Sequence, residues 1–263
     1  MRPRVRLDTL LARRGVFPSR SRAAASVLAG EVRVGEDGRR AAKPGEMVSE
    51  DVAVAVEVGP EFVSRGGRKL AHALDVTGID PEGRRCLDVG ASTGGFTDCL
   101  LQRGAEHVVA VDVAYGELAW KLRTDPQVTV LERANARGLR PGQLPYAPEL
   151  IAVDVSFISL AKVLPAVLGC AAPRYDCLAL CKPQFEVGRE RVGKGGVVRS
   201  PDDRRAALAA VAGAARELGA SVLGFVPSGL PGPKGNRETF VWLAEGGRPG
   251  LTALEATARE VEP

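Results

Sequence analysis

A glycine-rich turn separates an apolar run from a helix-like run in residues 86–101, which read CLDVGASTGGFTDCLL. The turn combines three glycines with two small hydroxyl residues, namely Gly90, Gly94, Gly95, Ser92 and Thr93. A helix that begins directly after such a turn offers free backbone N–H groups and a surface that a ligand can approach closely. We therefore interpret the turn as a cofactor-binding surface; the simpler alternative is a tight turn without a ligand.

The residues around this turn indicate which cofactor it binds. Dinucleotide-binding turns follow the pattern G-x-G-x-x-G, but here the second glycine is missing and Asp88 precedes the turn. A carboxylate there would repel a pyrophosphate and would attract a cofactor with a cationic, amino-acid-like end, such as S-adenosylmethionine. Asp112, which ends the next apolar run, is placed to accept hydrogen bonds from both ribose hydroxyls, and Asn135 or Ala136 could meet the adenine edge. Phe96, the first apolar residue after the turn, completes this set.

Charged residues end two further apolar runs, LIAVDVSF and LALCKPQFE. They place Asp154 and Lys182 at the carboxyl ends of predicted strands, where open α/β sheets bind their ligands. Because the residue before a proline is held extended, Pro183 marks Lys182 as a strand end. Lys69 in SRGGRKL and Glu238 in RETF complete a set of four charged candidates. For any one of them taken alone, a surface ion pair is the alternative.

The elements that would position these residues alternate between strand-like and helix-like patterns from residue 64 onward. Seven apolar runs predict strands: RCLDVG, HVVAVDV, VTVLER, LIAVDVSF, CLALCKP, SVLGFVP and ETFVWLAE. Such alternation is typical of a doubly wound sheet with helices on both faces. We therefore predict an α/β domain over residues 64–263 with a Rossmann-like, mostly parallel seven-stranded sheet.

A small basic region precedes that domain. Residues 1–22 contain seven arginines and a single acidic residue, Asp8, which indicates an electrostatic handle for a polyanion; a solvated basic tail is the alternative. The apolar spacing that follows predicts two short helices and a strand, which together bury little surface. We expect a small α+β domain over residues 1–58 and a linker over residues 59–63, where Gly59 and Pro60 separate the two patterned regions.

Composition argues against several classes of protein. No apolar run reaches the roughly 18 residues of a membrane span, and the N-terminus lacks the apolar core of a secretory signal. Five cysteines without paired C-x-x-C motifs, together with two histidines, argue against a zinc site. We expect a cytoplasmic, monomeric protein with reduced thiols and with neither a metal nor a membrane partner.

The N-terminal pattern R-L-D-x-L-L-x-x-R-G…S-R…A…L-x-x-G-x-V-x-V…K-P-G resembles the αL RNA-binding module named after small-subunit ribosomal protein four. In that family two helices and the adjoining loop present a basic face to structured RNA. Arginines suit phosphate contacts because the deep major groove of A-form RNA hides the base edges. The positions that match the basic face are Arg4, Arg6, Arg14, Arg20, Arg22, Arg40 and Lys43.

The motifs of the larger domain closely resemble the TlyA family, also labelled hemolysin-like, whose catalytic domain is similar to FtsJ-type ribose methyltransferases. These motifs are VSRGGRKL, LDVGASTGGFTD, LERANARGL, VDVSFISL, KPQFEVG, KGGVV and LPGPKGN-ETF-WL. With the N-terminal module, the resemblance covers almost the whole chain. It implies a class I methyltransferase fold and transfer of a methyl group from S-adenosylmethionine to the 2′-hydroxyl of cytidines in ribosomal RNA.

The resemblance also implies roles for the charged residues, because the family's Lys-Asp-Lys-Glu tetrad maps onto Lys69, Asp154, Lys182 and Glu238. Lys182 would take the central role, either as a base or as a cation that orients the hydroxyl and stabilises the developing alkoxide. Lys69 would disfavour the ammonium form of Lys182 and Asp154 would favour it. Asp154 would face the sulfonium, and Glu238 would hold one of the lysines. Phe157 is either a core residue or part of the cofactor pocket.

Further basic residues of the larger domain are predicted RNA contacts, with a solvated surface as the alternative. They are Arg65, Arg68, Arg133, Arg137, Arg189 and Lys194. The chain departs from the family at the linker, where Pro60-Glu61-Phe62-Val63 replaces an Arg-Ala-aromatic-Val pattern. If the linker couples RNA docking to cofactor binding, that coupling differs here.

The complete N-terminal module resembles the longer family subtype, which modifies RNA of both ribosomal subunits and is tied to sensitivity toward ribosome-targeting cyclic peptide antibiotics. Three other functions would require different features in the sequence. A non-catalytic RNA-binding or ribosome-associated protein would need a broken set of charged residues, and a membrane-lytic protein would need an amphipathic or spanning segment. A base methyltransferase would carry an Asn-Pro-Pro-aromatic motif or a catalytic cysteine, which the motifs around Asp154 and Lys182 lack. A methyltransferase that acts on another RNA stays open.

Overall fold

A computed structural model describes residues 4–57 and 60–262. The chain divides into two compact units, Met1–Glu61 and Phe62–Pro263. Val58 and Gly59, which the sequence analysis places at the end of the first domain and at the start of the linker, lie outside the described residues, as does Pro263 at the end of the second domain.

The N-terminal unit is a small α+β module, as predicted. Its elements are β1 (Arg4–Arg6), α1 (Leu7–Arg13), α2 (Arg20–Ala29), β2 (Val32–Val34), β3 (Arg39–Arg40), β4 (Met47–Ser49) and β5 (Val54–Val56). Strand β1 pairs with β4, and β2 lies between β3 and β5, all antiparallel. Leu10 and Val27 of the helices share one apolar core with Val32, Val34 and Val48 of the strands.

The larger unit contains seven strands and seven helices within its described residues. They are α3 (Arg65–Thr77), β6 (Arg85–Val89), α4 (Gly95–Gln102), β7 (His107–Val111), α5 (Trp120–Arg123), β8 (Val128–Leu131), β9 (Leu150–Val153), α6 (Leu164–Leu168), β10 (Asp176–Cys181), α7 (Pro183–Glu186), α8 (Pro201–Glu217), β11 (Ser221–Pro227), β12 (Thr239–Ala244) and α9 (Leu254–Val261). Short 3-10 helices lie at Ala136–Gly138, Pro141–Gln143, Leu160–Lys162 and Arg189–Arg191.

These strands form one sheet in the order β11-β12-β10-β9-β6-β7-β8. Strand β12 is antiparallel to both of its neighbours, and the other neighbouring strands are parallel. The prediction of a mostly parallel seven-stranded sheet is therefore confirmed. The carboxyl ends of β6, β7, β9 and β10 meet at one edge of the sheet. Because β12 runs the opposite way, the residue before it, Glu238, reaches that same edge, with Thr239 paired to Cys181.

Apolar residues cover both faces of this sheet. One core cluster includes Val109, Val153 and Val241 with residues of α6 and α8, and the other includes Leu150 and Phe240 with residues of α3 and α4. All five cysteines are buried and reduced. Within the described ranges, no group of three or more His, Cys, Asp or Glu side chains is placed to hold a metal ion.

The larger unit begins earlier than the sequence indicates. Phe62 is 4% exposed and belongs to the core cluster of α3, where a Cβ on Gly67 would lie 2.3 Å from the Phe62 ring. The backbone N–H of Val63 donates a hydrogen bond to Asp98 in α4 at 2.8 Å. The predicted linker therefore includes two residues that pack as part of the larger unit, because the aromatic side chain of Phe62 is buried within it.

Candidate active site

The glycines of the turn between β6 and α4 pack closely against neighbouring protein atoms. Gly90 has a φ of 86°, and a Cβ there would lie 2.4 Å from the backbone oxygen of Asp154, just after strand β9. A Cβ at Gly95 would lie 2.1 Å from the side-chain oxygen of Ser64. Gly94 is buried against two leucines and also has a positive φ. The simple tight-turn interpretation therefore explains part of the pattern, because only glycine allows this conformation and this close approach.

Asp88 lies beneath the turn, where its side chain is fully buried. Its Oδ2 accepts hydrogen bonds from the backbone N–H of Thr97 at 2.9 Å and from the Thr97 hydroxyl at 2.7 Å. Its Oδ1 is buried and has no hydrogen-bond partner among the described residues. Burial raises the pKa of Asp88 to about 7, and the carboxylates of Asp154 and Asp112 add to the effect.

The burial of Asp88 corrects the prediction that its side chain contacts a cofactor. A side chain with no exposed surface cannot touch a ligand in a cavity. Asp88 instead holds the first turn of α4 through Thr97, and its effect on a ligand is electrostatic. The reason is its position inside β6, one residue before the strand ends at Val89.

Asp112 follows β7 and lines a cavity of about 400 Å³, here named the Asp112 cavity. Its Oδ2 accepts a hydrogen bond from the backbone N–H of Ser92 at 2.7 Å, and its Oδ1 accepts one from Ala114 at 2.8 Å. These bonds fix the carboxylate beside the turn, while each oxygen keeps a second lone pair for a ligand. The predicted residues on the wall of this cavity are Gly90, Ser92, Asp112, Asn135, Ala136, Asp154 and Phe157.

The four charged candidates form two ion pairs at this edge of the sheet. Lys182 Nζ lies 2.6 Å from Asp154 Oδ1 and donates a hydrogen bond to the hydroxyl of Ser156 at 2.9 Å. Lys69, in α3, pairs with Glu238, and both side chains are almost completely buried. Glu238 therefore holds Lys69 and not Lys182, a choice that the sequence leaves open.

Two further cavities adjoin the ion pairs. The Lys69 cavity, of about 260 Å³, lies between α3 and the glycine-rich turn; the predicted residues on its wall are Arg65, Lys69, Gly90, Ser92, Thr93, Gly95, Phe96, Asp154, Lys182 and Glu238. The Phe185 cavity, of about 310 Å³, is lined by Ser156, Phe157, Lys182, Gln184, Phe185, Val192, Gly196, Gly232, Pro233, Lys234, Asn236 and Glu238. Lys182 and Glu238 line both of these cavities.

Phe157 is not a core residue. Its side chain is 91% exposed, and its ring lies 5.2 Å from the ring of Phe185. It lines both the Asp112 cavity and the Phe185 cavity. Its φ of 64° is unusual for a residue with a side chain, and such strained backbone persists where surrounding contacts hold it.

The predicted RNA contacts are exposed, but several of them have partners within the protein. In the N-terminal unit, Arg6 and Arg20 both pair with the buried Asp8, Arg14 donates to backbone oxygens after β4, and Arg40 donates to the Ala29 carbonyl. Because a guanidinium has five N–H groups, these contacts leave donors for phosphate. Arg4 likewise donates to the Met47 carbonyl at 2.8 Å. The other exposed candidates of both units are Arg22, Lys43, Arg65, Arg68, Arg133, Arg137, Arg189 and Lys194. Among these, the Arg133 guanidinium stacks 4.4 Å from the Tyr115 ring.

Sequence reasoning missed two residues that shape the site. Ser156, two residues after Asp154, binds the Lys182 ammonium. Asn236 is 2% exposed; its side chain donates to the Gly196 carbonyl at 2.7 Å and accepts from the backbone N–H of Val198 at 2.9 Å. These two bonds hold residues 196–198 beside Asn236, and Gly196 and Asn236 both line the Phe185 cavity. The motif around Asn236 was recognised, but an asparagine in a loop gives no signal of its partner.

Comparison with known protein families identifies the class. Residues 62–245 match the FtsJ-like methyltransferase family, and residues 5–54 match the S4 domain. The fold and the match agree, and the chain belongs to the FtsJ-like methyltransferase family, with an S4 domain before the catalytic domain.

Individual relatives within this class are similar to the chain over most of its length. The chain is 54% identical over 245 residues to the 16S/23S rRNA (cytidine-2′-O)-methyltransferase TlyA of Mycobacterium tuberculosis, a match that covers 92% of this chain and 91% of that protein. It is 37% identical to Hemolysin A of Brachyspira hyodysenteriae, over 89% of this chain and 97% of that protein. A solved hemolysin-like protein from Streptococcus thermophilus is 37% identical, with a TM-score of 0.73, and covers 99% of this chain and 96% of that one. Among residues 4–57 and 60–262, no helix is both long enough and apolar enough to cross a membrane.

Proposed function

We propose that the larger unit transfers a methyl group from S-adenosylmethionine to the 2′-hydroxyl of cytidine in ribosomal RNA. The observation that carries this proposal is the Lys182–Asp154 pair, because Lys182 lines both the Lys69 cavity and the Phe185 cavity. A group at that position can meet a cofactor on one side and a nucleotide on the other. The relative that is 54% identical is named as an enzyme with this activity on both ribosomal subunits.

The residues present fit S-adenosylmethionine. The unpartnered oxygen of Asp88 and the carboxylates of Asp112 and Asp154 make this edge of the sheet negative, which suits a cofactor with a sulfonium and an ammonium group. Asp112 would hold the ribose hydroxyls, and Asn135 with Ala136 would meet the adenine in the Asp112 cavity. When bound, the cofactor supplies an electrophilic methyl group.

The chain's own residues prepare the hydroxyl that receives the methyl group. A ribose hydroxyl is a weak nucleophile until its proton leaves; with Lys182 as an ammonium, that proton passes to solvent water as the new O–CH3 bond forms and the methyl–sulfur bond breaks. The Lys182 ammonium, held by Asp154 Oδ1 and the Ser156 hydroxyl, orients that oxygen and stabilises the negative charge that develops on it. Because the Lys182 ammonium has a carboxylate partner at 2.6 Å, we favour this orienting role over that of a base. Lys69, fixed by Glu238, adds positive charge to the same cavity.

The S4 domain and the basic residues of both units would bind ribosomal RNA. Phosphate contacts by arginine are independent of sequence, so the same surface could serve both ribosomal subunits. A ribosomal RNA substrate implies that the protein acts in the cytoplasm, and we propose a monomer whose product changes sensitivity to cyclic peptide antibiotics that bind the ribosome.

The test uses purified small and large ribosomal subunits from a strain without this modification. Each is incubated with radiolabelled S-adenosylmethionine and wild-type protein, Lys182→Ala, or Lys162→Ala, which removes an exposed lysine of the 3-10 helix Leu160–Lys162. The label is then mapped by primer extension at low nucleotide concentration. We expect ribose label on a cytidine of each subunit with wild type and with Lys162→Ala, and at least a hundredfold less with Lys182→Ala.

Two results would change the proposal. Label in one subunit alone would remove the dual specificity. No transfer to either subunit by wild-type protein that binds the cofactor would mean another RNA substrate, or an RNA-binding function without catalysis.

A further inference from the structure

The segments that follow β9 and β10 contact each other at successive positions. Asp154 and Lys182 form the first contact, directly after the two strands. Three residues further along each segment, the rings of Phe157 and Phe185 lie 5.2 Å apart. The last contact belongs to Glu186, at the end of α7. The catalytic pair is thus one end of a short series of contacts, and Glu186 is the other end.

Glu186 makes two hydrogen bonds across this series. Its Oε2 accepts from the hydroxyl of Ser159 at 2.6 Å, and its Oε1 accepts from the backbone N–H of Leu160 at 2.9 Å. Burial raises the pKa of this carboxyl group, and the two hydrogen bonds act against that effect. A partly buried carboxylate is retained here because both of its oxygens are satisfied by the opposite segment.

The segment that Glu186 holds has a conformation that needs support. It runs from Asp154 to Leu160 and includes Phe157, which has a φ of 64° and a side chain that is 91% exposed. An exposed ring gains little from packing, so the strained backbone must be held by contacts elsewhere in the segment. Within the described residues, the bonds from Glu186 are the polar contacts that tie the far end of this segment to α7.

We infer that Glu186 is a positioning residue for methyl transfer. By holding the Asp154–Leu160 segment against α7, it keeps the Asp154 carboxylate aligned with the Lys182 ammonium and keeps Phe157 between the two cavities that it lines. Glu186 itself lines none of the three cavities described above. This inference rests on the proposed function, since alignment of the pair matters only if the pair serves catalysis.

The test compares Glu186→Ala with Glu186→Gln in full-length protein, with ribosomal subunits as substrate. We expect Glu186→Ala to lower kcat by about tenfold to a hundredfold, because small displacements of reacting groups cost this much, and to change the Kd for S-adenosylmethionine less than about threefold. Glu186→Gln should restore most of the activity, since its amide can accept from Leu160 and donate to the Ser159 hydroxyl. The control is Glu190→Gln, an exposed residue of the 3-10 helix Arg189–Arg191, which should behave as wild type.

A second variant keeps the inference testable if Glu186→Ala does not fold. Ser159→Ala removes one of the two bonds and should lower kcat by a smaller factor than Glu186→Ala, with the Kd for S-adenosylmethionine changed less than about threefold. Normal kcat in folded Glu186→Ala would overturn the inference, as would equal losses in the Ala and Gln variants, which would assign the effect to charge. Failure of the wild-type enzyme to methylate either subunit would instead reject the proposed function.

Discussion

Asp8 in the N-terminal unit and Asp88 in the larger unit are both buried, and the two carboxylates have opposite surroundings. Asp8, in the N-terminal unit, accepts a hydrogen bond from Arg6 at 2.7 Å and lies 3.2 Å from Arg20. The hydrogen bond from Arg6 lowers the pKa of Asp8 to about 2, against the opposing effect of burial. Asp88, in the larger unit, is bonded to Thr97, and burial raises its pKa to about 7.

The two aspartates differ in the charge of their partners: Asp8 is paired with two arginines, whereas Asp88 accepts its hydrogen bonds from the neutral Thr97. Asp8 has its counter-charges within the unit, so it orients two arginines whose remaining donors face solvent. Asp88 has one oxygen without a hydrogen-bond partner in the described structure, so a cation bound above the turn would stabilise its ionised form. The arginines therefore favour the ionised form of Asp8, whereas burial favours the protonated form of Asp88.

Buried charges with a partner inside the protein also occur in the larger unit, where Lys69 pairs with Glu238. Glu238→Leu leaves the buried Lys69 ammonium without a counter-charge, and we expect a loss of about 3–5 kcal/mol in the free energy of unfolding. The double variant Lys69→Met, Glu238→Leu should recover most of this stability and remain inactive. Urea unfolding and methyl-transfer assays on the three proteins measure both effects; an active double variant would show that the pair is only structural.

Asp88→Asn should give the next largest effect, which depends on pH. Because the folded pKa of about 7 lies above that of an unfolded aspartate, near 3.9, ionisation of Asp88 destabilises the fold, and this penalty grows as the pH rises from about 4 through about 7. Asparagine carries no such penalty. In protein without cofactor, the variant should gain free energy of unfolding relative to wild type between pH 5 and pH 8.

The free energies of unfolding of wild type and Asp88→Asn, measured again with saturating S-adenosylmethionine, test whether the cofactor stabilises the ionised form of Asp88. The cationic end of the cofactor should reduce the advantage of Asp88→Asn at pH 8, and the variant should bind the cofactor more weakly. A stability difference that is unchanged by pH would mean that Asp88 stays in one protonation state throughout.

Asp8→Asn should show the opposite pH dependence and a smaller effect. The folded pKa of about 2 lies below the unfolded value, so ionised Asp8 stabilises the N-terminal unit above about pH 4, and this contribution is lost as the pH falls through about 2. The difference in stability between wild type and variant should therefore shrink as the pH is lowered. Nuclear magnetic resonance titration of the Asp8 carboxyl in the full chain measures the midpoint directly; a midpoint near 4 would contradict the pairing with Arg6.

The smallest effect is expected from exposed basic residues of the N-terminal unit. Arg22→Ala and Lys43→Ala should each weaken RNA binding and lower the slope of log K against log salt by about 0.7 to 0.9, since each contact with phosphate releases counterions. Arg259→Ala is the matched control, because Arg259 is an exposed arginine of α9 that is not among the predicted RNA contacts. Equal slopes for all three variants would remove Arg22 and Lys43 from the RNA-binding surface.

The sequence predicted the sheet and its ligand-binding edge well, because strand-length apolar runs that end in Asp154 and Lys182 are a local signal. It could not predict which lysine Glu238 holds, since the antiparallel direction of β12 decides that and residues 69 and 238 are far apart in the chain. How deeply each acidic side chain is buried could not be predicted either. Asp88 and Asp112 both end apolar runs, but one is buried in its strand and the other follows its strand into a cavity.

The remaining points concern residues whose type suits two environments. An apolar neighbourhood made a core position for Phe157 as reasonable as a pocket position, and a positive φ leaves it exposed instead. The aromatic ring of Phe62 belongs to the larger unit although its neighbours have a linker composition. Glycines of the turn are explained first by contacts with β9 and α3, which no local pattern could reveal.

The five buried cysteines have a practical consequence for solution studies of this enzyme. Burial raises the pKa of the Cys86 thiol to about 12 and raises those of Cys170, Cys177 and Cys181 as well, so little thiolate is available for alkylating reagents at neutral pH. A single cysteine introduced at an exposed position outside the predicted RNA contacts, such as Glu255→Cys in α9, should therefore react selectively with a maleimide dye. The native cysteines can stay in place while the labelled variant reports ribosome binding.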